Sequence, residues 1–305
     1  MGEGLYRPFC KQAVYYDRYL NHERSQLPRI FPSLTHENLG IYVVGAGSDR
    51  PFSCLMTNLL PDLAMWGSSS GQFVPRWTYQ PVDGHEGLLS KNESEDGYRR
   101  VDNITDEILV DYQKTFGAEV SKDDIFYYVY GLLHCPQYRE TFASDLKKML
   151  PRIPKPHSAD DFRAFTDAGR ELADLHVGYE TVKPYPLTEH VTGTLDGNDR
   201  DLWRVSKMTW RSKGDRSAIV YNTRVTLTGI PDEAHRYRLG SRTALEWLID
   251  RYQVKIDKAS DIVNDPNDWC DEHDYPRYIV DLIKRVTTVS AETVRVVEGL
   301  PNLTI

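Results

Sequence analysis

The spacing of apolar residues changes twice along the chain. From residue 5 to 82 they fall in short runs, such as Ile41 to Val44 and Phe73 to Tyr79, bounded by Gly45, Gly47 and Gly71. Short runs between glycines predict strands joined by long loops. From Thr105 the period lengthens to about 3.6, which predicts helices. Ser121-Lys-Asp-Asp124 can cap one that carries Ile125, Val129, Leu132 and Leu133, because the Ser hydroxyl accepts an orphan amide and Asp124 suits the positive end of the dipole. Pro136 opens another turn. Tyr138, Phe142, Leu146 and Met149 then predict one apolar stripe on a helix stopped by Pro151 and Pro154. Ser158-Ala-Asp-Asp161 repeats the capping signal ahead of Phe162, Phe165, Leu172 and Leu175.

The period shortens again over residues 189 to 230, where Ile219 to Thr228 is rich in β-branched residues and Gly193, Gly197 and Gly214 are turn candidates. Beyond it, Ser241 is the expected cap of a helix over Ala244 to Tyr252. Pro276 to Val286 predicts another, and Ser290-Ala-Glu-Thr293 predicts the start of the last one. The fold class that follows is α+β, with a β-rich N-terminal lobe, a central helical lobe, an inserted β-unit and a helical C-terminus. The expected boundaries are 1–82 for the β-rich lobe, 83–104 for an acidic loop, 105–182 for the helical lobe, 183–235 for the β-unit and 236–305 for the C-terminal helices. No internal repeat or low-complexity tract interrupts this order.

Composition narrows the class. A chain of 305 residues with 40% hydrophobic and 27% charged residues can bury a sizeable core unaided. No apolar run approaches the roughly 18 residues that a membrane span needs, so a soluble protein is expected. Cys10, Cys54, Cys135 and Cys270 are far apart. They offer neither a Cys-x-x-Cys knuckle nor a disulfide framework, and a reducing cytoplasm fits them best. The N-terminus lacks a signal core and runs directly into structured sequence, as expected of a piece of a longer chain.

Catalytic constellations are missing. Gly45-Ala-Gly47 resembles the start of a nucleotide loop, but Asp49, Arg50 and Pro51 stand where the third glycine and the helix start belong, so a tight turn is expected. Adenine methyltransferases hold the target amine with an Asn/Asp-Pro-Pro-Tyr/Phe loop. The nearest string, Asn264-Asp265-Pro266-Asn267-Asp268-Trp269, lacks the second proline. Asp145-Leu-Lys147 matches a nuclease tripeptide but falls on a predicted helix. The nine histidines are scattered without the spacing of a metal pair, and nothing around any cysteine marks it as a nucleophile. The expectation is no catalytic residue, no metal site and no cofactor within these residues.

Charge supplies the positive signal. The chain carries a net charge of -8, yet Arg200 to Arg224 holds seven Lys or Arg against Asp201 and Asp215, interleaved with Trp203, Trp210 and Tyr221. Two readings fit: a polyanion-binding surface, or a solvated strand face with two core tryptophans. Asp83 to Asp124 is the acidic counterpart, with twelve acidic residues against five basic.

Several strings, taken in order, resemble the C-terminal region of the single-chain Type ISP restriction-modification enzymes and their helicase-annotated relatives. They begin with Tyr6-Arg-Pro-Phe9, Tyr15-Tyr-Asp17 and Trp66-Gly-Ser-Ser-Ser-Gly-Gln-Phe73-Val-Pro-Arg-Trp77. They continue through Asp124-Ile-Phe-Tyr-Tyr-Val-Tyr-Gly-Leu-Leu-His134, Leu146-Lys-Lys-Met-Leu-Pro-Arg-Ile-Pro154 and Gly169-Arg-Glu-Leu-Ala-Asp-Leu-His176. Ala244-Leu-Glu-Trp-Leu-Ile-Asp-Arg-Tyr-Gln253, Ile262-Val-Asn-Asp-Pro-Asn-Asp-Trp269 and Pro276-Arg-Tyr-Ile-Val-Asp-Leu-Ile283 complete the set. The resemblance implies a parent chain with a nuclease, a helicase-like ATPase, an N6-adenine methyltransferase and a C-terminal target recognition domain, of which this would be the last. S-adenosylmethionine, ATP and Mg would then belong to upstream domains, and residues 1 to about 35 either complete the methyltransferase or do not.

The implied partner is double-stranded DNA, together with the upstream methyltransferase and ATPase. Lys207, Arg211, Lys213, Arg216, Asn222 and Arg224 are the expected DNA contacts, since Arg suits guanine and Asn suits adenine. Arg76 and Trp77, after the turn Ser68 to Gly71, form a second candidate face. Lys147, Lys148 and Arg152 are either phosphate contacts or a solvated helix end. Two other readings stay open: an interdomain docking module using Trp247, Trp269 and Tyr278, and an independent catalyst.

Overall fold

The computed structural model describes residues 2–21, 24–67, 71–82, 94–193 and 200–303. The chain divides into two compact units, Met1–Val177 with Val296–Ile305, and Gly178–Arg295. Mixed helices and small sheets make up both, as the α+β class requires.

The first unit begins with small sheets. Strand Gly40–Val44 lies between Cys54–Thr57 and Gly71–Pro75, antiparallel to both, and is buried along its whole length. That burial explains its unbroken apolar run, since a strand covered on both faces has no polar side to alternate. Gly2–Arg7 pairs antiparallel with Cys10–Val14 and parallel with Leu60–Pro61. The acidic stretch does not remain a loop to its end, because Tyr98–Asp102 pairs antiparallel with Trp77–Pro81. Residues 83 to 93 lie outside the described residues. Gly47 takes a φ of 79° and donates its N–H to the Lys147 carbonyl at 2.8 Å, as a tight turn and not a phosphate loop.

The helices, in chain order, are α1 (Leu27–Ile30), α2 (Asp106–Phe116), α3 (Lys122–His134), α4 (Pro136–Thr141), α5 (Ala143–Leu146), α6 (Ala159–Val177), α7 (Ala244–Arg251), α8 (Asn267–Glu272) and α9 (Tyr278–Glu298). Ser121 makes the expected capping box with Asp124 at the start of α3. Thr105 caps α2, and the Ser158 hydroxyl accepts the Asp161 N–H at the start of α6. The core packs α2, α3 and α6 on the inner face of the sheet through Ile41, Met56, Tyr112, Leu132, Phe162 and Leu172.

Three expected elements differ. The stripe Tyr138 to Met149 is not one helix: the backbone breaks at Phe142, separating α4 from α5, and Met149 is exposed. The Tyr138 hydroxyl donates to the Arg152 carbonyl at 2.7 Å, so the chain folds back where a longer helix would continue. Thr243, not Ser241, caps α7, because Thr243-Ala-Leu-Glu246 forms a full capping box while Ser241 sits in the turn between the paired residues Arg238–Leu239 and Arg242–Thr243. Ser290 and Thr293 start no helix. They are buried inside α9, where the Ser290 hydroxyl donates to the Val286 carbonyl at 2.7 Å.

In the second unit a four-stranded antiparallel sheet runs in the order Thr188–Val191, Val225–Thr228, Ala218–Val220, Thr209–Trp210. Ala218, Ile219, Val225 and Leu227 are fully buried. The Thr188–Val191 edge is held to α9 through Glu189, which accepts from Arg277 at 2.7 Å and from Lys284. The opposite edge strand, Thr209–Trp210, leads into an exposed loop.

Candidate nucleic-acid interface

The basic segment separates physically into a tied part and a presented part. Over Arg200 to Val205 its charge is neutralised. Arg200 pairs with Asp274 at 2.7 Å, and Arg204 pairs with Asp271 at 2.6 Å. Asn267 fixes the same stretch by accepting the Val205 N–H at 2.9 Å and donating to the Val205 carbonyl at 2.8 Å. Trp203 carries the Arg277 guanidinium over its ring at 4.0 Å.

Asn222 is a clamp and not a presented reader. Its Nδ2 donates to the carbonyls of Leu202 and Arg204, both at 2.9 Å, and its Oδ1 accepts the N–H groups of Arg224 and Val225. The buried Tyr221 hydroxyl adds a bond to the Trp203 carbonyl at 2.5 Å. With donor and acceptor both engaged, Asn222 sets the turn from which Arg224 emerges, half-buried.

The presented part is the loop Arg211 to Ser217, with Lys207 just before the edge strand. Lys207, Arg211, Lys213 and Arg216 are all exposed. Asp215 shapes the loop: its Oδ1 accepts the Ser217 hydroxyl and N–H, and its own N–H reaches the Ser212 hydroxyl. Those Ser217 bonds hold its carboxyl below the usual carboxylate range. Arg211 pairs with Asp215 at 3.3 Å and Arg216 with Glu246 at 2.7 Å. Lys207 and Lys213 have no ion pair among the described residues. Exposed pairs contribute little to stability, so Arg211 and Arg216 can exchange these carboxylates for another anion at small cost. Trp210, half-buried at the loop's root, meets the His235 ring at 5.3 Å. Burial, followed by the Arg216 charge, holds that imidazole below its ordinary value.

The second candidate face is corrected by the structure. Arg76 is 6% exposed. Its Nη1 pairs with Asp102 and its Nε with Asp123 at 2.7 Å, while Lys122 bridges Asp102 at 3.2 Å and Asp106 at 2.6 Å. Burial pushes the Asp102 carboxyl up, but the hydrogen bonds and charges of Arg76 and Lys122 outweigh it and leave the group lowered. Arg76 therefore stitches the Tyr98–Asp102 strand to α3. Trp77 is half-buried, with Arg76 and Arg100 at 5.2 and 5.1 Å from its ring centre. Arg76→Ala is expected to lower stability by about 1–2 kcal/mol, because it removes the buried donor of charge-assisted bonds to two part-exposed carboxylates, Asp102 and Asp123. An unchanged thermal melt would show that the network holds nothing. Ser68 to Ser70, the turn before Arg76, lie outside the described residues.

The remaining candidates fall into place simply. Lys147, Lys148 and Arg152 are exposed just beyond α5. All four cysteines are buried, and burial pushes the thiols of Cys54 and Cys270 up to about 11, which makes them poor nucleophiles. Among the described residues no three His, Cys, Asp or Glu side chains gather as a metal site. No described helix is long and apolar enough to cross a membrane. Sequence reasoning missed the organising role of Asp215. Its signal was the Ser212, Asp215 and Ser217 spacing, which suits side-chain-bonded turns.

The profile of the Type ISP C-terminal specificity domain matches residues 1–282. No curated protein matches. Among solved structures, the ATP-dependent Type ISP restriction-modification enzyme LlaBIII bound to DNA is 33% identical with a TM-score of 0.85, over 100% of this chain and 18% of that one. A nuclease-deletion mutant of the Type ISP enzyme LlaGI, in complex with a DNA substrate mimic, is 36% identical with a TM-score of 0.80, over 100% of this chain and 25% of that one. The DrdV–DNA complex is 33% identical with a TM-score of 0.81, over 100% of this chain and 28% of that one. The chain thus spans little more than a quarter of these relatives at most.

Proposed function

The chain belongs to the Type ISP C-terminal specificity domain family, and on that premise we propose that it reads a sequence in duplex DNA for a linked N6-adenine methyltransferase and ATP-dependent restriction machinery, working in the cytoplasm. The observation that carries this reading is that three relatives, each 33–36% identical over the whole chain, were solved with DNA or a DNA mimic. The docking-module alternative is not favoured, since it leaves those complexes and the exposed basic loop unexplained. S-adenosylmethionine, ATP and Mg are assigned to upstream domains of the parent chain.

In this reading Lys207, Arg211, Lys213 and Arg216 meet the DNA from one sheet edge, and Arg224 adds a cation from the turn that joins Ala218–Val220 to Val225–Thr228. Asn222 holds the backbone of Arg204 and Arg224, while Arg76 and Trp77 contribute through the fold of the first unit. Net acidity is no obstacle. Arg200 and Arg204 each meet two carboxylates, drawn from Asp265, Asp271 and Asp274, whereas Arg211 and Arg216 each meet one, which leaves the positive charge concentrated on the Arg211 to Ser217 loop and Lys207. Phosphate contacts would fix register, and an Arg fork would select guanine.

Selection from a randomised duplex pool at two salt concentrations tests the proposal. An enriched asymmetric motif is the expected result, and absence of binding would sink the reading. Lys213→Ala is expected to weaken binding uniformly across sequences and to reduce the slope of log affinity against log salt by about one. Arg211→Ala is expected to cost about 1–3 kcal/mol on the preferred sequence and to relax preference at one position. Unchanged affinity in both would remove this loop from the DNA surface.

A further inference from the structure

The hairpin from Lys255 to Asn264 lies apart from the Arg211 to Ser217 loop in sequence, and its composition is unusual for an exposed element. Two residue pairs form its ladder, Lys255 with Asn264 and Ile256 with Val263. Three large aliphatic side chains stand in solvent on it, Ile256 at 62%, Ile262 at 59% and Val263 at 54% exposure. A ladder this short gains little from its own hydrogen bonds. Clustered aliphatics on such an element mark a surface that something covers.

Its position indicates what does. Both ends of the hairpin are rooted on the basic segment. The Val254 N–H donates to the Ser206 carbonyl at 3.0 Å at one end, and Asn267 brackets Val205 at the other. Lys207 is the next residue after Ser206, so the aliphatic hairpin leaves the same backbone that presents the free lysine. Its tip is rigidly turned. The Asp257 Oδ1 accepts the N–H groups of Ala259 and Ser260 and the Ser260 hydroxyl, which engages that carboxylate internally. Lys258 beside it is exposed, with no ion pair among the described residues.

We propose that this hairpin is an apolar groove element: Ile256, Ile262 and Val263 enter a groove of the duplex whose phosphates are held by Lys207 and the Arg211 to Ser217 loop, and pack on sugars and base edges there. The inference rests on the DNA reading above. The chemistry is that of aliphatic wedges, which contribute by excluding water and deforming a base step and not by charge. Sequence preference would then arise partly from how easily a step deforms, at positions no arginine touches.

The test replaces Ile256, Ile262 and Val263 together by threonine, which keeps the β-branching that suits a strand while removing apolar surface. Affinity for the selected duplex is measured from low to moderate salt with the 305-residue chain. The expected result is a fall of about tenfold or more at every salt concentration with the salt slope unchanged, because apolar contacts release no counterions. Lys207→Ala in parallel is expected to reduce the slope instead. Unchanged affinity in the triple variant overturns the inference and leaves the hairpin to a protein partner. A fall accompanied by a reduced slope also overturns it, since the hairpin would then act through phosphates. A melting curve matching the unsubstituted chain guards against misfolding; should the triple variant melt early, Ile262→Thr alone carries the same two criteria. Failure of the unsubstituted chain to bind DNA would refute the underlying reading separately.

Discussion

Adding a single methyl group at Gly169 or Gly131 is expected to cripple the first unit. A Cβ built on Gly169 would lie 1.9 Å from the Tyr127 carbonyl oxygen, and one on Gly131 would lie 2.1 Å from the Phe165 carbonyl oxygen. The two contacts are reciprocal: each glycine of the α3–α6 pair meets the backbone one turn before the other. The obstructing atoms are helical carbonyls and not side-chain ends, so relief requires the helices to separate. Separation would loosen Phe165 and Leu172, both buried in that interface's core, and the bond from the Thr166 hydroxyl to the Asp124 carbonyl. At an unpacked helical site, Gly→Ala would stabilise by about 1 kcal/mol. Here the sign is reversed, and Gly169→Ala or Gly131→Ala is expected to lower stability by about 3 kcal/mol or more. Thermal melting would show this as a drop of several degrees. A melt at or above that of the unsubstituted chain would mean the two helices do not meet at these glycines.

That contact also shows where sequence reading reaches its limit. Both glycines lie inside predicted helices, but a one-dimensional pattern gives the same symbol to a glycine that admits a neighbouring helix and one that weakens its own. Local signals fared better. Ser121 and Asp124 are three residues apart, and their reciprocal bonds depend on nothing distant. Tyr138 to Met149 failed for the opposite reason. Its apolar period was real, but the bond from Tyr138 to the Arg152 carbonyl decides where the chain goes, and that partner is set by the tertiary fold. Ser290 was misread because a cap and a buried hydroxyl bonded to the fourth preceding carbonyl use the same residue type.

The candidate site divides along the same line. Charge density picked out Arg200 to Arg224, since a surplus of cations needs no structure to be counted. It did not reveal which cations were already paired. Arg200 and Arg204 lose their availability to Asp271 and Asp274, some seventy residues away in sequence, and Arg76 loses its own to Asp102 and Asp123. Asn222 looked like a base reader because its amide suits adenine, yet the same donor and acceptor suit a backbone clamp equally well. Electrostatic specificity therefore becomes legible only when every partner in space is named.

Mild acid is expected to unfold the first unit through two histidines that cannot take up protons where they are. His134 and His176 are buried and stacked with ring centres 5.6 Å apart. The Tyr130 hydroxyl accepts the Met56 N–H at 2.9 Å and shares a hydrogen bond with His176 Nδ1 at 2.5 Å. His134 donates from Nδ1 to the Tyr130 carbonyl at 2.9 Å. Cys54 faces His134 across 3.6 Å, and Arg139 reaches the Cys54 sulfur, also at 3.6 Å. A second cation here would have no carboxylate to meet among the groups this network names. Burial pushes His176 down to about 3, and burial with the Arg139 charge holds His134 well below its ordinary value. The unfolded chain binds these protons near pH 6.5 and the folded chain does not. Stability is therefore complete above about pH 6.5 and declines as pH falls, by about 1.4 kcal/mol per unit for each histidine and about 4 kcal/mol in all by pH 5. The lowered carboxyls of Asp102 and Asp124 act in a separate window, losing their contribution only as pH drops below about 4. Urea denaturation at steps between pH 7.5 and 5 reads histidines and not these carboxyls, and in a His235→Gln background, which removes the lowered imidazole of the second unit, it reads His134 and His176. His176→Gln is expected to be less stable at pH 7.5 but to show about half the slope, and a flat profile in the unsubstituted chain would mean that these imidazoles reach water in the folded state.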